Sequence, residues 1–179
     1  FYLVSVGAGG KTGVLAISGN GESVEDDPLA RKISMELMTA HTDSDISHTA
    51  LYLIGGKFYL VSVGSKGTAG VLAISMDGEF ISEDPLAREI VQHLKTAHDR
   101  SDIGHTGLYP IGDKFYLVSV GAGGKTGVLA ISRGGECIEN DSLALNIRQR
   151  LNRRFWIDHT ALYPIGGQFA LVSVGGGGG

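Results

Sequence analysis

Three histidines stand at matching places in the chain. His48, His105 and His159 each open a segment of the form His-Thr-Ala/Gly-Leu-Tyr. Three imidazoles turned inward toward one point could hold zinc with an open fourth position. No H-x-x-x-H or C-x-x-C spacing accompanies them, and the plainer role is a local pairing with Asp45, Asp102 and Asp158. Glu22, Glu79 and Glu136 recur in the same way, each after a turn glycine. Oxygen-rich turns can hold calcium, but the alternating Asp/Asn pattern of a calcium loop is missing. Glu25, Asp26 and Asp27 add to an acidic patch that suits the positive end of a helix without any ion. No cofactor is expected; zinc and calcium are the ions these residue types would take.

The stretch Val6–Val14, VGAGGKTGV, and its repeat at Val120–Val128 contain Gly-Gly-Lys-Thr. A phosphate loop of the form G-x-x-x-x-G-K-[ST] would need glycine where Ser5 stands, and would lead into a helix. Here GVLAIS follows, which reads as a strand, and the second copy replaces the loop with GSKGTAG. The GAGGKTG loop is therefore expected to turn a hairpin and not to bind a nucleotide. Ser5, Ser62, Ser119 and Ser173 lie inside strands and lack the G-x-S-x-G elbow of a nucleophile. Asp45 and His48, like Asp102 and His105, have a spacing that could orient a base, but the third copy breaks it. Arg148, Arg150, Arg153 and Arg154, followed by Phe155 and Trp156, form a basic and aromatic cluster in the third copy. Such residues can hold single-stranded nucleic acid. In an acidic chain they are better read as a protein-contact surface, where Arg and aromatics are enriched. Cys137 has no His or Lys beside it in sequence to activate it.

These residues are positioned by a repeated element set. FYLVSVG begins at Phe1, Phe58 and Phe115, and FALVSVG at Phe169, a period of about 57 residues. GVLAIS begins at Gly13, Gly70 and Gly127, and DPLAR at Asp27 and Asp84, with DSLAL at Asp141. The third copy is three residues shorter, between its helix and the next strand. FYLVSV and GVLAIS read as strands, and FYLVSV is apolar on both faces, which predicts cover on both sides. Asp27, Asp84 and Asp141 are helix N-caps, followed by Pro28 and Pro85 at the first helical position. Leu29, Ile33 and Leu37 give the first helix one buried stripe, repeated by Leu86, Ile90 and Leu94 and by Leu143, Ile147 and Leu151. A third strand, TALYPI or its like, then turns at Gly-Gly or Gly-Asp into the next FYLVSV.

The expected fold is α+β: three tandem pseudo-symmetric units, each a short antiparallel β-meander plus one amphipathic helix, packed into one compact body. The units are 1–56, 57–113 and 114–167, with an extra closing strand at 168–174 and a flexible glycine tail at 175–179. A unit of this size is marginal alone, so the units lean on one another. The chain either closes on itself as a pseudo-threefold body, the reading adopted, or is an excerpt of a longer array. It opens on Phe1 inside a strand, which leaves an earlier segment possible.

A chain of 179 residues with net charge −4 has no global pull toward nucleic acid or anionic lipid. Its apolar runs are too short to cross a bilayer as a helix, and one cysteine permits no internal disulfide. No motif names a family. Triplication favours a non-catalytic structural or multivalent binding protein that self-associates, because repeated surfaces raise avidity. The candidate contact residues are His48, His105, His159, Glu22, Glu79, Glu136, Arg148, Arg150 and Trp156. The alternatives are a hydrolase-like enzyme with its site near the divergent third copy, or a metal-binding protein using the repeated histidines.

Overall fold

The structure is a computed structural model that describes residues 1–152 and 156–176. In chain order the elements are β1 (Tyr2–Val6), β2 (Thr12–Ile17), β3 (Ser23–Val24), α1 (Pro28–Ala40), β4 (Ile46–Ile54), β5 (Lys57–Gly64), β6 (Ala69–Ser75) and β7 (Phe80–Ile81). They continue with α2 (Pro85–His98), β8 (Ile103–Ile111), β9 (Lys114–Gly121), β10 (Thr126–Ser132), β11 (Cys137–Ile138), α3 (Ser142–Leu151), β12 (His159–Ile165) and β13 (Gln168–Val174). The fold is α+β, with four antiparallel sheets ordered β1-β2-β3, β4-β5-β6-β7, β8-β9-β10-β11 and β12-β13. No helix among the described residues is long and apolar enough to cross a membrane.

Helices and sheets alternate as layers. Ile33 and Leu37 of α1 meet Val4, Val6 and Val14 of the first sheet and Leu60, Leu72 and Ile74 of the second. Leu86, Ile90 and Leu94 of α2 meet Val61, Val63 and Ala69 of the second sheet and Leu117 and Ile131 of the third. Ile147 and Leu151 of α3 meet Val118, Val120 and Val128, with Leu171 of β13 packed against the group. The two faces of β5 and of β9 are thus covered by different helices, as their unbroken apolar sequence requires. The first and last sheets share no strand pairing.

Each helix start is fixed by its cap. Asp27, Asp84 and Asp141 accept the N–H of Ala30, Ala87 and Ala144 at 2.8, 3.0 and 2.9 Å. The second carboxylate oxygen of Asp84 takes Lys57 Nζ at 2.7 Å, and that of Asp141 takes Lys114 Nζ at 2.8 Å. These ion pairs and the cap N–H groups hold both buried carboxyls below the usual range, against the desolvation that would raise them. The hairpin loop after β1 folds under the end of α1. Gly10 has φ +70°, and a Cβ there would lie 2.7 Å from the His41 carbonyl oxygen.

Gly64 and Gly121 end β5 and β9 against the backbone carbonyls of Asp45 and Asp102, and Gly175, just after β13, stands against that of Trp156, in each case with no room for a Cβ. Gly104, in contrast, has only the Val120 carbonyl nearby, 3.8 Å from an added Cβ. Gly64→Ala and Gly121→Ala are expected to cost about 1–3 kcal/mol each, read as a lower urea midpoint, whereas Gly104→Ala leaves the midpoint unchanged or raised. Equal effects at all three sites would contradict the close approach.

Candidate functional site

Strands β4, β8 and β12 carry the three repeated histidines into contact. A bulge between Ile46 and His48, matched between Ile103 and His105, turns the rings. The His48 and His105 ring centroids lie 4.5 Å apart, and those of His105 and His159 lie 4.3 Å apart, tilted by 47° and 58°. The rings form a column along the stack of units rather than meeting at one point. A zinc ion needs each nitrogen about 2.0–2.1 Å from one centre, and a column offers no such centre. Among the described residues no group of three or more His, Cys, Asp or Glu is arranged to hold a metal ion.

His48 Nε2 and His105 Nδ1 are buried without a partner. Burial lowers the pKa of both; His105, with His48 and His159 on either side, is pushed down to about 4. The expected pairing with Asp45, Asp102 and Asp158 is also corrected. Asp45 accepts the N–H of Gly9 at 2.7 Å and Asp102 that of Lys66 at 2.8 Å, each tying a glycine-rich loop to the start of the next strand. An anion-seeking N–H of the GAGGKTG loop is thus satisfied by the chain's own carboxylate. Asp158 accepts from the Trp156 indole N–H at 2.6 Å and the Gly176 N–H at 3.1 Å.

Two further histidines, His41 and His98, were not singled out by sequence reasoning. They end α1 and α2 and are fully buried. His41 Nε2 lies 2.8 Å from Ser62 Oγ of β5, and His98 Nε2 lies 2.8 Å from Ser119 Oγ of β9. His41 Nδ1 lies 2.8 Å from Thr68 Oγ1, which also reaches the Ser65 carbonyl at 2.9 Å, and Ser62 Oγ also donates to the Gly70 carbonyl at 3.3 Å, so the tautomer of His41 decides which hydroxyl donates to the ring. Burial, chiefly, pushes both histidines down to about 4. Their location argues against turnover. Ser62 and Ser119 are themselves buried, and the cavity beside Ser62 is about 30 Å³, room for about one water. The signal was present in sequence: His41 and His98, and Ser62 and Ser119, hold equivalent repeat positions.

Two grooves open on the flanks. The first, about 420 Å³, has Val71, Ala73, Ile81, Asp84 and Ala87 in its floor. The second, about 270 Å³, has Val128, Ala130, Ile138, Asp141 and Ala144, the same residue types at equivalent positions. Their rims differ: Glu36, Arg88 and Val91 in the first become His93, Leu145 and Arg148 in the second. Arg148 thus lines a groove. Arg150 lines another at the end of the stack and donates to Asn146 at 2.9 Å. Trp156 is half-exposed. Glu22, Glu79 and Glu136 stay exposed in separate turns, each donating its N–H to the hydroxyl of Ser18, Ser75 or Ser132. Arg153, Arg154 and Phe155 lie outside the described residues.

The chain matches no family model, no curated protein and no solved structure.

His41, His98 and His105 fold as neutral imidazoles, while the unfolded chain binds protons near the ordinary pKa of about 6.5. Folding is therefore expected to be fully supported above about pH 6.5 and to weaken as pH falls toward 4. Urea midpoints measured across that window check this, and His105→Gln should flatten the slope. An identical slope in the variant would contradict it.

Proposed function

We propose that the chain is a non-catalytic scaffold that holds near-equivalent surfaces in a row and offers them to protein partners. One observation carries the reading: the recurring buried polar side chains are spent on joining one unit to the next. His41 and His98 tie a helix end to the following sheet. Tyr52 and Tyr109 reach Thr106 and Thr160 of the following unit at 2.9 and 2.7 Å. The two flank grooves, with one floor and two rims, fit repeated engagement of related ligands, which gains through effective concentration.

The alternative reading is a hydrolase-like enzyme with its site near the divergent third copy, where the serine–histidine pair is Ser119 with His98, repeated earlier in the chain by Ser62 with His41. A fluorophosphonate probe followed by intact-mass measurement separates the two. No adduct is expected on the native chain. An adduct on Ser62 or Ser119 that disappears in His41→Ala or His98→Ala would overturn the scaffold reading. On the same reading, Tyr52→Phe and Tyr109→Phe each lose about 1 kcal/mol of stability in urea unfolding; no loss in either variant would remove the tyrosine bonds from the joining set.

A further inference from the structure

The GVLAIS-type strands carry an open edge in the middle of the fold. β10 pairs β9 from Thr126 to Ser132 but meets β11 only at Ala130 and Ile131. β6 repeats this, paired with β5 from Ala69 to Ser75 and with β7 only at Ala73 and Ile74. Successive residues of an antiparallel strand send their N–H and C=O groups to alternate sides. The Ser132 N–H turns away from β9 to the Glu136 carbonyl at 2.8 Å, so Ala130, Val128 and Thr126 turn the same way. Ala130 meets β11, but among the described residues no strand faces Val128 or Thr126. Helices wall this edge on both sides. A Cβ on Gly127 would lie 3.0 Å from Ala97 Cβ and 3.0 Å from His93 Nε2, both on α2. Ala144, Leu145 and Arg148 of α3 line the same groove of about 270 Å³, on the face that Val128 and Ala130 present.

Polar groups in this slot have nothing to hold. His93 Nε2 is buried without a partner, as is the Thr126 hydroxyl. Arg148 is exposed and makes no ion pair among the described residues. Burial, and then the Arg148 charge, lower the pKa of His93, so at neutral pH the ring is uncharged and Arg148 carries the positive charge. We propose that this slot takes an extended segment of a partner protein, which adds as a strand beside Thr126–Leu129 and sets an acidic side chain against His93 and Arg148. The proposal rests on the scaffold reading and names the partner chemistry at one of its grooves. In strand addition the main-chain hydrogen bonds give affinity and the flanking side chains give selectivity. The slot beside β6 has the same open edge at Val71 but the opposite charge. Glu36, paired with Lys32 at 2.8 Å, stands where His93 stands, and Val91 where Arg148 stands. An acidic segment is therefore favoured beside β10 and repelled beside β6. The carboxylates of the β10 slot lie toward its other end, by β11 and the start of α3: Glu139, and Asp141, which Lys114 neutralises.

End-blocked hexapeptides test this. One central position is fixed as glutamate, glutamine or lysine, and the others are mixed among threonine, valine and isoleucine. Binding is read by titrating backbone amide resonances, and strand formation by amide exchange at Val128. The glutamate peptides are expected to slow Val128 exchange and to bind about tenfold or more tighter than the lysine peptides, the scale of a hydrogen bond to a charged group. Arg148→Glu, at an exposed position, should invert that order with an unchanged circular dichroism spectrum. N-methylation of every peptide amide should abolish binding, because it removes the donors that a strand needs. Binding that survives N-methylation, or that leaves Val128 exchange unchanged, overturns strand addition. Equal affinity of the three peptide sets, or an order that Arg148→Glu leaves unchanged, overturns the charge selection. No binding by any set overturns the proposal as a whole. If Ser62 and Ser119 also remain unlabelled by the fluorophosphonate, the scaffold reading survives that failure.

Discussion

A strand that is apolar on both faces gains most when both are covered, as those of β5 and β9 are and those of β1 and β13 are not. FYLVSV is such a strand, and the architecture follows from covering it twice. Val61 and Val63 need the helix that comes after them, and Leu60 needs the helix that comes before. Each helix must then serve two sheets, which is why α2 carries Leu86, Ile90 and Leu94 fully inside and meets both β5 and β9 residues. At about 25 cal/mol per Å² of apolar surface, this double cover outweighs any single polar contact in the chain. The caps, turns and ion pairs fix where each layer starts; the covering of the strand fixes that there are layers.

The polar residues inside this stack differ in how fully they are bonded. His41 has both ring nitrogens bonded, to Thr68 and Ser62. His98 keeps the serine and loses the second partner, because Lys125 stands where Thr68 stands one unit earlier; its Nδ1 is left bare, as is the nearby Thr126 hydroxyl. A bare buried nitrogen costs free energy that a bonded one does not, so the second helix junction is built less economically than the first. The histidine column adds a third such place, where neutral rings can lie against each other and charged ones cannot.

Much of the fold was legible because it is local. The aspartate caps with proline after them, the i, i+4, i+8 stripes and the two-sided strands all declare themselves within a few residues; the structure carries the caps and the α2 stripe in full, whereas Leu143 of the α3 stripe is exposed and only β5 and β9 are covered on both faces. The site was less legible because its contacts join elements far apart in sequence. Asp45 sits three residues from His48, which suggests a pair, yet its partner is the N–H of Gly9 in the loop before α1. His41 resembles an ordinary helix end, and nothing near it in sequence points to Ser62. Whether His48, His105 and His159 would meet as a ring or a column depends on the direction in which units stack, which periodicity leaves open. The groove rims combine Glu36 or His93 of one helix with residues of the next, a combination visible only after stacking.

Among the described residues the main contacts run between neighbouring layers, α1 on the first and second sheets and α2 on the second and third. Cohesion then resembles that of a zipper. Layers with two neighbours outlast those with one, and fraying should creep inward from β1 and β13 before the α2 layer lets go. Amide protons of Val61 and Val118 would be the last to exchange with solvent, and the lifetime of the middle of the chain would set the lifetime of the whole.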